Sequence, residues 1–423
     1  MSGTLSATER ALVAGIEPAR LEAELRALVG TPSVTGDEGR ARDLLAGLLD
    51  AAGAEVEALE ADPAALADDP DWPGAEMPRT SLPIVVGRWR GPRPGPRALL
   101  VGHLDVVPTG DPSSWSVDPW AGEARDGQLY GRGACDMKGG LAAIVGAARA
   151  VAAAGGPRAG ELLVVGVPSE EDGGAGMLAA IRAGCVGDMA VITEPTALQL
   201  VVAHAGAITF RLAVPGRAAH ASVRREGISA LDNLYTMLHA LEADEAARNA
   251  AEHDPLMTAL GLPYPTIVGK VSGGEWASTV LDQVVVEGRY GVRLGQTWRD
   301  AEADLREVIA AAASADPFLR AHPPSLEITG GRFSSARVPA DAPVARTLHD
   351  AIAATLGRAP LAVGVPYGAD MRLLVNEGAT PTVLFGPGDV RRAHAADEWV
   401  PLDEVRDCAA VLAVWAGRAL GLR

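Results

Sequence analysis

The chain has 423 residues, more than one hydrophobic core usually organises, so two domains are expected. Its 37 Lys plus Arg stand against 54 Asp plus Glu, a formal net charge of -17, which argues against binding a nucleic-acid backbone across a broad surface. No apolar run reaches the ~18 uncharged residues of a membrane span, and MSGTLSATERALVAGIEPAR lacks the apolar block of a signal peptide. Cys135, Cys185 and Cys408 are too few and too scattered for a disulfide framework. A cytoplasmic protein with neither nucleic-acid nor membrane partners is the expectation.

In chain order, Leu21, Leu25 and Leu28 recur at helical spacing, and after a break at GTPSVTGDEG the pattern continues through Leu44, Leu45, Leu48 and Leu49. Residues 61–82 are rich in Pro, Asp and Ala without a stable period, the mark of a surface loop. From residue 98, short apolar runs alternate with helical ones: ALLV, GGLAAIVGAARAVAAAG, ELLVVGVP, GGAGMLAAIRAG, DMAVITEP. That rhythm predicts an α/β fold with a mostly parallel sheet covered by helices.

At about residue 206 the order becomes strand, helix, strand, strand, helix, strand, a complete ferredoxin-like βαββαβ unit. It reads as an insertion, with domain limits 1–205, 206–333 and 334–423. The α/β pattern then resumes with GATPTVLFGPG and a closing helix, VRDCAAVLAVWAGRALG.

Residues 101–138 concentrate the chemistry. An apolar run ends in Gly102 and delivers His103 and Asp105. On an extended backbone side chains two apart share a face, so the Asp105 carboxylate is expected to accept the second ring N–H of His103 and orient it toward a metal. Asp136 follows a Gly-rich loop, GRGACDMKGG; its neighbour Cys135 would point the other way.

Glu170 and Glu171 stand together in VPSEED after a buried strand, where adjacent carboxylates repel unless a cation or shared proton intervenes. An acidic helix N-terminus would explain the pair equally. With Glu194 in ITEPT and His394 in RRAHAADEWV, the set His103, Asp136, Glu171, Glu194 and His394 offers five N/O ligands. That suits two Zn²⁺ ions, each with one His, one terminal carboxylate and a shared Asp. In open α/β sheets such ligands gather beyond the carboxyl ends of the strands.

The ordered motifs GHLDVVP, GRGACDMKGG, PSEED, ITEPT, AAHAS and AHAADE resemble the zinc-dependent amidohydrolase and exopeptidase family of acetylornithine deacetylase, succinyl-diaminopimelate desuccinylase, aminoacylase and carboxypeptidase G. The likeness spans almost the whole chain, including the insertion. It implies a zinc-exopeptidase-like catalytic domain and an inserted lid and dimerisation domain. His103 and Glu194 would hold one zinc, Glu171 and His394 the other, with Asp136 bridging and its bond to Met137 cis; cobalt or manganese are alternatives. Glu170 would be the base that takes a proton from the bridging water and passes it to the leaving amine, while Asp105 would orient His103.

By the same resemblance His220, in PGRAAHAS, would reach the other subunit's site and stabilise the oxyanion, and Arg293, in GRYGVRL, would grip the substrate carboxylate. A helix-start histidine and an ordinary strand arginine are the plainer readings. Where many relatives have Asn and a Val-Pro pair, this chain has GGEWASTVLD, with Ser278 and Leu281 in those places, which weakens transfer of desuccinylase substrate contacts. Tyr367, Gly368 and Asp370 in YGADMR resemble a substrate-facing loop, and Gly386, Pro387 and Gly388 another pocket wall.

The resemblance implies a di-zinc hydrolase removing an acetyl, succinyl or formyl group from an amino acid or related amine, paired as a homodimer through the insertion as in relatives. A dipeptidase or carboxypeptidase would use the same metals with a longer pocket. A non-catalytic small-molecule-binding paralogue would have lost a base or ligand. A di-metal phosphoesterase would need a cationic grip on phosphate, whereas the SEED and AHAADE loops are acidic or neutral apart from nearby Arg391 and Arg392.

Overall fold

The computed structural model describes residues 4–422. The chain divides into two compact units: a larger one from the described part of Met1–Val202, Arg337–Val363 and Ala369–Arg423, and a smaller one of Ala203–Ala336 with Gly364–Gly368. The sequence rhythm had left that last pentapeptide with the returning α/β segment. It clusters instead with the smaller unit, where a Cβ on Gly364 would meet Met257 Cε at 2.3 Å.

In the larger unit, strand Arg97–His103 pairs in parallel with Glu161–Val167 on one side and Met189–Ile192 on the other, and Thr382–Leu384 extends the parallel set beside Met189–Ile192. Antiparallel strands close one flank: Leu82–Arg90 against Glu161–Val167, and Glu55–Ala61 against Leu82–Arg90. The parallel strands read as unbroken apolar runs because helices cover both faces. Leu162, Leu163, Val164 and Val165 are fully buried, each contributing roughly 1.5–3 kcal/mol of transfer free energy.

Helix Gly139–Ala153 is buried along almost its whole length and packs against Leu402–Ala419. Pro18–Val29 instead buries one stripe, Leu21, Leu25 and Leu28, as its spacing predicts. Among the described residues no helix is long and apolar enough to cross a membrane.

The smaller unit is an antiparallel sheet in the order Thr266–Gly273, Gln283–Val292, Gly206–Pro215, Ser325–Phe333. Along Gly206–Pro215 the alternation is clear: Phe210, Leu212 and Val214 face the core while Arg211 faces solvent. Helices Ala230–Ala250 and Trp298–Ser314 cover the buried face through Leu234, Met237, Leu241, Leu305 and Ile309. Each helix starts at a hydroxyl cap, Ser229 accepting from the Asp232 N–H and Thr297 forming a capping box with Asp300. The strand and helix order is the ferredoxin-like one.

Candidate metal centre

Three neighbouring parallel strands end on the same edge. His103 is the last residue of its strand, Glu170 and Glu171 follow Val167 by three and four positions, and Glu194 follows Ile192 by two. Asp136 arrives on the loop before helix Gly139–Ala153, just ahead of its cis bond to Met137, and His394 on the loop after Thr382–Leu384.

His103 Nε2 lies 3.0 Å from Asp136 Oδ1. His394 Nε2 stands 3.5 Å from Asp136 Oδ2 and 3.2 Å from Glu171 Oε2. One carboxylate therefore sits between two imidazoles and offers a different oxygen to each. Ligand atoms of His103, Asp136 and Glu171 all lie within 4.8 Å of one another. Glu194 is 5 % exposed, and its Oε1 is buried without a hydrogen-bond partner.

The electrostatics match this crowding. Burial opposes charge on His103, yet the hydrogen bond to Asp136 and the charge of Glu194 raise its pKa well above the usual value. Burial would also raise Asp136, but hydrogen bonds from both histidines hold its carboxyl low. Glu170 is driven well above the carboxylate range by burial and then by the charge of Glu194. Glu194 itself is pushed up to about 8 by burial and Asp136. Two imidazoles, several converging carboxylates and an orphaned buried oxygen are a donor set that fits divalent zinc-like cations, whose charge would relieve the repulsion.

Asp105 differs from the expectation. His103 ends its strand, so the alternation that would bring the two side chains together stops there. His103 Nδ1 meets the backbone carbonyl of Asp105 at 2.8 Å, whereas the nearest carboxylate oxygen is 3.7 Å away. The carboxylate instead accepts the backbone N–H groups of Glu170 and Glu171, each at 3.1 Å, and the Thr35 hydroxyl at 3.1 Å. Asp105 still orients the imidazole, through its main chain, and its side chain holds the glutamate turn.

Two further ionic groups escaped the motif reading. Arg79, from the Pro-rich loop, bonds Glu38 at 3.0 Å and Asp172 at 2.9 Å, all three side chains nearly inaccessible. Asp172 also accepts the Glu76 and Met77 N–H groups, tying that loop to the turn bearing Glu170 and Glu171. Glu398 accepts from the Cys135 and Asp136 N–H groups and from Arg132. Position four after His394 within AHAADE was the available signal for Glu398; Arg79 had none.

Cys135 is buried with Sγ 3.3 Å from the Asp389 carbonyl and lies outside the metal cluster. Gly386 and Gly388 act behind the site: a Cβ at Gly386 would meet the Thr193 carbonyl oxygen at 2.3 Å, and one at Gly388 the Cys135 Sγ at 2.7 Å. Asp370 belongs to the larger unit, 1 % exposed, with both carboxylate oxygens buried and unbonded and Arg372 Nη1 at 3.8 Å. Burial pushes its carboxyl up to about 6.

His220, Ser278, Arg293, Tyr367 and Gly368 belong to the smaller unit. There the exposed His220 pairs with Thr279 in an antiparallel bridge, and the Ala221 N–H donates to the Ser278 carbonyl at 2.9 Å, so His220 and Ser278 are neighbours. Arg293 is half-buried, its N–H 3.2 Å from Gln296 Oε1.

Residues 99–417 match the model of peptidase family M20/M25/M40. The chain belongs to this family. It is accordingly a hydrolase, and the resemblance drawn from the six motifs is borne out. A succinyl-diaminopimelate desuccinylase of Methylobacterium sp. (strain 4-46) is 34 % identical over 299 residues, 68 % of this chain and 69 % of the relative. An acetylornithine deacetylase of Photorhabdus laumondii subsp. laumondii is 28 % identical, covering 78 % of this chain and 82 % of the other. In fold, the chain is similar to the di-peptidase Dug1p of Saccharomyces cerevisiae, with a TM-score of 0.75 over 99 % of both chains at 15 % identity. At that identity the likeness speaks for the M20 fold alone, with its parallel-centred sheet and inserted unit.

Proposed function

We propose that this M20 hydrolase is a di-zinc N-deacylase that cleaves the amide bond of an N-acyl amino acid or related N-acyl amine. The observation that supports it most directly is Asp136 between His103 and His394, one oxygen toward each. In this reading His103 and Glu194 hold one zinc, Glu171 and His394 the second, and Asp136 both. Bound zinc supplies Lewis acidity toward the scissile carbonyl and lowers the pKa of water to near neutrality.

Glu170 then acts as the proton carrier. It takes the proton of the attacking water at a carboxylate oxygen and returns it to the departing nitrogen, which leaves as an amine. Burial and the charge of Glu194 raise the pKa of the Glu170 carboxyl, which strengthens its carboxylate as a base toward the attacking water. Asp105 holds the Glu170–Glu171 turn and the His103 ring in place.

Across a homodimer formed through the inserted unit, His220 donates to the oxyanion of the other copy's site, and Arg293 grips the carboxylate of the amino-acid portion. Ser278, Tyr367, Gly368 and Asp370 complete the substrate contacts. The acyl-amine class is favoured over peptides by the named activities of the relatives at 28–34 % identity. The test is a panel of N-acetyl-, N-succinyl- and N-formyl-amino acids run beside dipeptides on the zinc-loaded chain. Turnover of acyl-amino acids is expected; turnover of dipeptides alone would transfer the chain to the peptidase branch.

A further inference from the structure

Glu398 is 1 % exposed, yet no step assigned above uses it. Its Oε1 accepts the N–H of Cys135 at 2.9 Å and of Asp136 at 3.0 Å, and its Oε2 accepts from Arg132 Nη1 at 2.6 Å. Arg132, 2 % exposed, donates its other terminal nitrogen to the Pro108 carbonyl at 3.2 Å and lies over the Trp115 ring at 5.1 Å. The Gly131 N–H donates in turn to the Glu398 backbone carbonyl at 2.9 Å. One buried ion pair thus joins the three segments that follow or carry His103, Asp136 and His394.

We propose that Glu398 is a positioning residue for the metal centre: by accepting two consecutive N–H groups it fixes the backbone at Asp136, so that this side chain presents one oxygen to each histidine. The Asp136 backbone is neither helical nor in a strand at φ -120° and ψ 96°, so no regular ladder satisfies these amides. A charged acceptor is the strong choice for that task. The larger unit uses the same device a second time, with Asp105 accepting the consecutive N–H groups of Glu170 and Glu171. Arg132 neutralises the carboxylate and, as a planar fork, spans Glu398 and Pro108 together.

The inference rests on the metal reading, and the experiment separates the two. Cobalt(II) is titrated into the chelator-stripped full-length chain, its E398Q variant and its R132K variant, with affinity taken from chelator competition and geometry from the visible d–d spectrum. Circular dichroism reports the fold. Gln keeps one acceptor oxygen but turns an amide N–H₂ toward Arg132 or the backbone donors. E398Q is expected to bind cobalt ~10–100-fold more weakly, with a changed d–d spectrum and a lowered kcat at near-constant KM. R132K is expected to weaken binding in the same direction by less, because its single ammonium cannot span both acceptors.

A role confined to stability would lower the melting temperature and leave affinity and spectrum as in the parent. That result in folded E398Q overturns the inference while the metal reading stands. If E398Q does not fold, parental affinity and spectrum in R132K overturn it equally. A parental chain that takes up no divalent cation removes both.

Discussion

The larger and the smaller unit hold their candidate residues in opposite ways. In the larger unit His103, Asp105, Glu170 and Glu194 are each at most 7 % exposed, His394 being the exposed ligand, and their loops are tied by Asp105, Asp172 and Glu398. In the smaller unit His220 and Ser278 lie on exposed backbone beside a hairpin. Buried groups fixed by several bonds are suited to chemistry that tolerates little displacement. Exposed groups suit contacts completed when a substrate or second copy arrives. The two units should therefore fail differently when mutated: metal binding together with kcat through the ligands of the first, kcat or KM with metal binding intact through His220 and Arg293 of the second.

The largest expected effect is at Glu170. Glu170→Gln keeps the size of the side chain and removes its proton carrier, so kcat should fall by roughly 10²–10⁴-fold. Zinc content, measured by atomic emission on the same preparation, should stay at the parental level. Unchanged turnover in that variant would remove Glu170 from the mechanism.

His220→Ala sharpens the contrast from the other side. Losing one oxyanion donor costs about 10²–10³-fold in kcat, and here zinc content and chelator-competition affinity should not move, because the exposed His220 side chain bonds its near neighbour Ser222, while the backbone bridge to Thr279 does not depend on the side chain. Mixing His220→Ala with Glu170→Gln protein tests the trans arrangement: partial recovery of activity is expected, and none if each site uses its own His220.

A pH experiment probes the cluster of assigned metal ligands itself. In the metal-free chain His394 is raised to about 10 by its hydrogen bonds to Asp136 and Glu171, and Glu194 to about 8 by burial and Asp136. Both groups therefore hold a proton at neutral pH that metal must displace, since ligands bind deprotonated. Apparent affinity should rise with pH below about 8, by ~10-fold per unit for each ligand proton that leaves. Calorimetry in buffers of different ionisation enthalpy counts the protons released; a count of zero near pH 7 would contradict the assigned ligand set.

Legibility in the sequence followed the same division. The parallel strands were readable because LLVV and its counterparts lie inside a covered sheet, and the ferredoxin-like order because Gly206–Pro215 alternates cleanly. His103, Asp136, Glu171 and His394 could be gathered because each sits in a motif at a strand end or Gly-rich turn. The bonds that hold them could not. Asp105 and Glu398 act on backbone amides of segments 65 and 262 residues away, and no local period records which amide a carboxylate will meet. Arg79 has the appearance of a loop cation in the sequence, and only folding places it between Glu38 and Asp172.

The smallest effect, and the one that probes specificity alone, is expected at Arg293. The residue is half-buried in the smaller unit, with the local backbone held by Gln296 and by the Leu294 N–H donating to the Tyr264 hydroxyl. Arg293→Lys keeps the charge and loses the planar fork that matches a carboxylate bidentately. A lost charge-assisted bond of about 1.5 kcal/mol raises KM roughly tenfold, while kcat should stay within about twofold since the interaction exists equally in ground and transition states. Substrates whose carboxylate is converted to an amide should bind the parent and the variant alike, because neither can form the ionic pair. A fall in kcat with KM unchanged would instead place Arg293 against the reacting atoms, and its assignment to substrate recognition would be lost.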